Sequence, residues 1–130
     1  MPPESRHVSV FIDRPISSVY SYASDASNLP QWAAGLGGNV ELIDGHWTAD
    51  SPMGKITIAF AEKNVFGVLD HHVTLPSGET FYNPMRLIAD GKRTEMVFTI
   101  RHRLGVSQDD FETDCDTILA DLETLKRILE

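Results

Sequence analysis

The apolar positions of this chain change period along its length, and the changes mark off an opening strand, two short helices, a run of strands and a long final helix. Between His7 and Asp13, Val8, Val10 and Ile12 alternate with other residues and share one face. A period of two puts successive side chains on opposite sides of a strand. Pro15 follows, its fixed φ suited to the first turn of a helix. Ile16, Val19, Tyr20 and Ala23 then recur at helical spacing, so residues 15–24 read as a short amphipathic helix. Asn28-Leu29-Pro30 restarts the chain into a second short helix, anchored by Trp32 and Leu36 and ended by Gly35, Gly37 and Gly38.

From Asn39 to Arg103 the pattern is strand after strand, about six in all by spacing. Val40 and Leu42 lead into Asp44-Gly45, a two-residue hairpin signal. His46 to Asp50 forms the returning strand, and Pro52, Met53 and Gly54 turn the chain again. Ile56, Ile58 and Phe60 mark the next buried face; Leu69, His71, Val73 and Leu75 mark another. After the turn at Pro76-Ser77-Gly78, Phe81, Asn83, Met85 and Leu87 share a face. Pro84 removes a ladder donor from that strand, so a bulge or an edge position is expected there. Asp90-Gly91 predicts the next hairpin turn, and Met96, Phe98, Ile100 and His102 line the last strand.

The final helix is the clearest element. Ser107 is placed to cap it, and Asp109 and Asp110 fall in the first turn, where the helix dipole favours negative charge. Phe111, Cys115, Ile118, Leu122, Leu125 and Leu129 step by fours and threes into one apolar stripe. A sheet with one apolar face needs a cover, and only this helix is long enough to supply it. The pattern therefore predicts a single α+β domain over residues 1–130, with a curved antiparallel sheet wrapped around residues 107–129. The two short helices plug the open edge beside the first strand.

Composition narrows the function. At 130 residues the chain can bury roughly two-thirds of its unfolded surface without staples. A net charge of -8 argues against a nucleic-acid partner. Arg101 and Arg103 read as a solvated strand end. The one cysteine, Cys115, excludes an intramolecular disulfide and a multi-thiol metal site. The N-terminal residues show no secretory signal and no stretch is long enough to span a membrane, so a cytoplasmic protein is expected.

The element order, the segment Val8-Ser9-Val10-Phe11-Ile12-Asp13-Arg14-Pro15-Ile16-Ser17-Ser18-Val19-Tyr20, the segment Asn28-Leu29-Pro30-Gln31-Trp32 and the C-terminal Asp121-Leu122-Glu123-Thr124-Leu125-Lys126 resemble the START-like (SRPBCC) superfamily of helix-grip folds, the polyketide cyclase/dehydrase and lipid transport group. The likeness covers essentially the whole chain. It marks the fold better than the function, because that group includes lipid carriers, hormone-binding proteins, aromatase/cyclases and chaperone co-factors. The resemblance implies a pocket between the long helix and the concave sheet.

Parity selects the polar candidates for such a pocket. His71 falls among Leu69, Val73 and Leu75; Asn83 among Phe81, Met85 and Leu87; His102 among Met96, Phe98 and Ile100. A few polar groups on apolar faces suit the orientation of a ligand, although His71 reads equally as a satisfied core histidine and His102, near a strand end, as solvent-exposed. Trp32, Phe60, Phe81, Met85, Met96, Phe98, Cys115, Ile118 and Leu122 are the matching apolar wall, or else plain core. Trp47 reads as core or lid. Tyr82 and Arg86 point outward by parity. His71 and His72 project to opposite faces and cannot readily share an ion, so no metal or other cofactor is expected.

Three functions compete on this evidence. One is binding of a small hydrophobic or aromatic molecule, oriented by His71 and Asn83. Another is a cyclase/dehydratase-like or isomerase enzyme in which His71 is the acid or base and Asn83 steadies an oxyanion. The third is a protein-interaction module using the acidic helix face of Asp109, Asp110, Glu112, Asp114 and Asp116.

Overall fold

The computed structural model describes residues 4–33 and 39–130. Leu36 and the glycines Gly35, Gly37 and Gly38, assigned above to the end of the second short helix, lie outside the described residues. Strand β1 (Ser5–Ile12) leads to helix α1 (Ile16–Ala23), then through a 3-10 turn (Ala26–Asn28) to helix α2 (Leu29–Trp32). Strands β2 (Val40–Ile43), β3 (His46–Ser51), β4 (Gly54–Phe60), β5 (His71–Thr74), β6 (Thr80–Asn83), β7 (Met85–Asp90) and β8 (Arg93–Arg101) follow, and helix α3 (Gln108–Leu129) closes the chain.

Local chemistry explains the turns. Asp44 and Gly45 both adopt positive φ, 51° and 80°, the backbone of the tight hairpin between β2 and β3. The β7–β8 turn falls one residue later than expected: Asp90 still pairs with Arg93, and Gly91-Lys92 makes the loop. Gly91, at φ 61°, takes the first central position, where only a residue without Cβ turns freely.

The strands form two sheets rather than one. β1, β8 and β7 make a three-stranded antiparallel sheet, and β2 to β6 make a five-stranded one in sequence order. The break is at Pro84, which separates β6 from β7 and so splits one expected strand between the two sheets. Lacking an N–H, Pro84 ends one ladder, while its carbonyl accepts from Thr99 N at 3.0 Å in the other. The segment ahead of β5 makes the matching changeover. Leu69 N donates to Met85 O and Leu87 N to Gly67 O, each at 2.8 Å, before the chain enters the ladder between β4 and β6.

Helix α3 begins at Ser107, whose hydroxyl accepts from Asp110 N at 3.1 Å. Its stripe turns inward: Phe111, Cys115, Leu122 and Leu125 are buried. The helix lies directly against β1, β8 and α2. Leu122 and Leu125 join Ile12, Val19, Leu69, Met85, Leu87 and Met96 in the main core. α3 thus packs closely along the small sheet, and the large sheet curls past it on the other side.

Candidate functional site

The space between α3 and the large sheet is partly empty. An inner chamber of about 330 Å³ is walled by Leu29, Trp32, Ile56, Ile58, Phe60, Val73, Met85, Phe98, Ile118 and Leu122, with His71, Asn83, Ser51 and Asp121 as its polar members. An outer chamber of about 320 Å³ adjoins it, walled by Leu75, Phe81, Ile100, Val106 and Phe111, with Arg101, Arg103, Asp114 and Thr117 at its rim. Met53, Val73, Asn83, Phe98 and Ile118 line both, so the two are consecutive parts of one hollow. Met53, at the β3–β4 turn, is 63% exposed and stands at the mouth.

The strand register places the polar pair. His71 on β5 is directly opposite Asn83 on β6 and Phe60 on β4. No bulge intervenes, so His71 faces the hollow and His72 faces out, its ring 4.9 Å from that of Tyr82. The His71 ring lies between Phe60 and Phe98, with centroids at 5.2 and 5.8 Å. Its Nδ1 is 3.1 Å from Leu69 O. A carbonyl can only accept, so Nδ1 carries the proton and Nε2 of the neutral ring keeps a free lone pair. Burial among apolar groups pushes the His71 pKa below its usual value, against the pull of the Leu69 carbonyl and the Asp70 carboxylate. Asn83 makes no side-chain hydrogen bond among the described residues, although it borders both chambers. The indole N–H of buried Trp32 has no acceptor there either.

Of the residues singled out from sequence, His71, Asn83, Trp32, Phe60, Met85, Phe98, Ile118 and Leu122 line the inner chamber, and Phe81 lines the outer one. Met96 and Cys115 line neither. Met96 is sealed in the small sheet between Val10 and Leu87, its register partners. Cys115 is packed with Ile100 and Phe111, and burial raises its thiol pKa. Trp47 sits across from Ile58 and packs on the core, lining neither chamber. His102 departs from its expected exposure. It is half-buried beyond the end of β8, stacked on Phe111 at 4.5 Å, with Nε2 2.7 Å from Val106 O.

Sequence parity placed Tyr82 and Arg86 outward, and both are exposed, but it missed what they hold. Asp70, only 7% exposed, accepts from Met85 N at 2.9 Å, from Arg86 at 2.8 and 2.7 Å, and from the Tyr82 hydroxyl. Arg86 beside it holds the Asp70 carboxyl well below the usual carboxylate range. Asp70 sits where the chain passes from one sheet to the other, so the cluster fixes the backbone immediately before His71. Arg103, read as a solvated end, is exposed, but its ring contact was not foreseen. Its guanidinium lies 4.0 Å over the Phe81 ring at the rim of the outer chamber. Neither was legible from periodicity, because each depends on partners brought in by a different strand.

Among the described residues no group of three or more acidic, histidine or cysteine side chains is arranged to hold a metal ion, and no helix is long and apolar enough to cross a membrane. No protein-family model matches the sequence, and no curated protein matches it significantly. Solved structures do match. The Zhui aromatase/cyclase from Streptomyces sp. R1128 superposes with a TM-score of 0.74 at 14% identity, over 98% of this chain and 94% of that one. A START superfamily protein from Mycobacterium smegmatis gives 0.67 at 14% identity, over 96% of each chain. Ara h 8.0201 gives 0.69 at 11% identity, over 98% of each. At these identities the likeness speaks for the architecture, and it agrees with the strand order, the paired short helices and the long helix laid across the hollow: the chain has the START-like helix-grip fold.

Proposed function

We propose that this protein binds a small, largely apolar molecule of aromatic size in the inner chamber, with His71 and Asn83 orienting its polar group. The observation that carries the reading is an apolar hollow of about 330 Å³ with a neutral histidine held in one tautomer at its wall. That volume lies in the range of small-molecule sites, roughly 300–1,000 Å³. The Nε2 lone pair suits a hydroxyl donor, and the Asn83 amide suits a hydroxyl or a carbonyl. Likeness to an aromatase/cyclase and to a START superfamily protein supports the same class of guest. Native mass spectrometry of gently purified protein should find a co-purifying small molecule, or a thermal-shift screen of aromatic compounds should find stabilisers. A chain that carries nothing and is stabilised by no such compound would overturn the reading.

The free Nε2 also favours a second reading, cyclase/dehydratase or isomerase chemistry. An unprotonated imidazole in an apolar site is a ready general base, and Asn83 across the ladder would steady charge developing on a carbonyl oxygen. Here His71→Gln abolishes turnover while leaving substrate binding measurable. Unchanged turnover would remove His71 from the chemistry.

A further inference from the structure

We infer that the guest of this cavity is an amphipathic carboxylate, its apolar body in the inner chamber and its anionic end against Arg103 at the rim of the outer one. This rests on the binding reading above and adds the charge and direction of the ligand. In a chain of net charge -8, the Arg103 side chain makes no hydrogen bond or ion pair among the described residues. One face of its guanidinium lies on the Phe81 ring, 4.0 Å from its centroid. The planar donor edge is therefore uncommitted, and a carboxylate is the group it matches. Arg101 stands beside it on the same rim, its Nη1 3.3 Å from Ser5 Oγ.

The acidic groups nearby are compatible with this. Asp114 borders the outer chamber from α3, and Glu79 acts on Arg103 at longer range. Against these the rim carries two arginines, whereas no arginine or lysine among the described residues lines the inner chamber. An anion is attracted at the outer end, which sets the direction of entry. The strand ladder gives the spacing. The His71–Asn83 rung is followed on the same face by the Val73–Phe81 rung, two residues on and about 7 Å away. Arg103 stands over Phe81. A guest with a hydroxyl at one end, a flat apolar middle and a carboxylate at the other meets all three in order.

Two probes with the same ring system test this: 2-naphthol, neutral at pH 7, and 6-hydroxy-2-naphthoate, which adds the carboxylate. Their affinities would be measured by calorimetry on the full chain and on Arg103→Gln, whose exposed side chain can change without disturbing the core; melting curves check that it folds. The expected result is that the naphthoate binds the unmodified protein about five- to tenfold more tightly than naphthol. The advantage disappears in R103Q, and naphthol binds both proteins equally. Added salt shrinks the advantage and leaves naphthol unaffected. If naphthol binds and the naphthoate has no advantage, or keeps it in R103Q, the inference fails and the binding reading stands. If neither probe binds, both fail.

Discussion

His71 has its proton placed by its neighbours. Leu69 O holds the hydrogen on Nδ1, and the Phe60 and Phe98 rings flank the imidazole with apolar surface that disfavours an imidazolium. Its folded pKa is depressed, so the neutral form is complete above the ordinary value of about 6.5 and is lost as pH falls through the lower folded value. A phenolic probe that donates to Nε2 should therefore bind at full strength down to about pH 6.5 and weaken only as acidification passes the lower folded value. His71→Leu should bind it weakly at every pH and lose that dependence; a calorimetric pH series would show a flat line in the variant. Asp70 has the opposite standing, a charged group held charged. Asp70→Ala strands Met85 N and unpairs Arg86, and because Arg86 is half-exposed the cost is discounted to about 2–3 kcal/mol, read from urea unfolding. The carboxyl is depressed in the folded state, so its contribution is present above about pH 4 and fades as pH falls below that. The acid limb of the stability profile should therefore flatten in the Ala variant.

Elements obeyed local rules where they stood alone and departed from them where two ladders meet. The stripe from Phe111 to Leu129 and the alternation from Val8 to Ile12 were plain in the sequence, because each needs only one neighbouring surface. The hairpin at Asp44-Gly45 was equally plain, because its backbone is set by two residues. The run from Phe81 to Leu87 looked like one strand because parity carries across Pro84 unchanged; the proline ends one ladder without altering which side faces the core. For the same reason the facing of His71 and Asn83 was legible, but the space in front of them was not. That space depends on how far α3 stands from a sheet built from other parts of the chain. Gly67 marks the second changeover. It has φ +75°, and a Cβ there would lie 2.5 Å from Leu87 O, a backbone atom that cannot step aside. Gly67→Ala should lower stability by more than about 2 kcal/mol, while Gly91→Ala, which meets nothing within 4 Å, should cost only the strain of its positive φ. Equal melting temperatures for the two variants would contradict the account of how the sheets are joined. At the start of α3, Ser107→Ala should cost about 1 kcal/mol through loss of the bond to Asp110 N.

At the scale of the molecule, stability and function compete for the same volume. A filled interior gains dispersion from every facing pair of atoms, and a hollow forfeits it. The hollow here is bounded by α3 on one side and the large sheet on the other, and Ile118 borders both chambers from the helix. Ile118→Trp extends a flat side chain into that space from a half-buried position beside the Ile100, Phe111 and Cys115 cluster. If the space is kept for a guest, this variant should melt no lower than the unmodified protein and should lose naphthol binding altogether. Leu122→Ala changes the opposite term. Leu122 is fully buried in the main core as well as bordering the inner chamber, so its truncation should cost about 2–5 kcal/mol. Because it enlarges the chamber, naphthol should restore part of the lost melting temperature by mass action. The two substitutions stand one turn apart on the same helix face, yet their stability and binding effects should run in opposite directions. If Ile118→Trp unfolds the chain as readily as Leu122→Ala, the interior has no room for a guest.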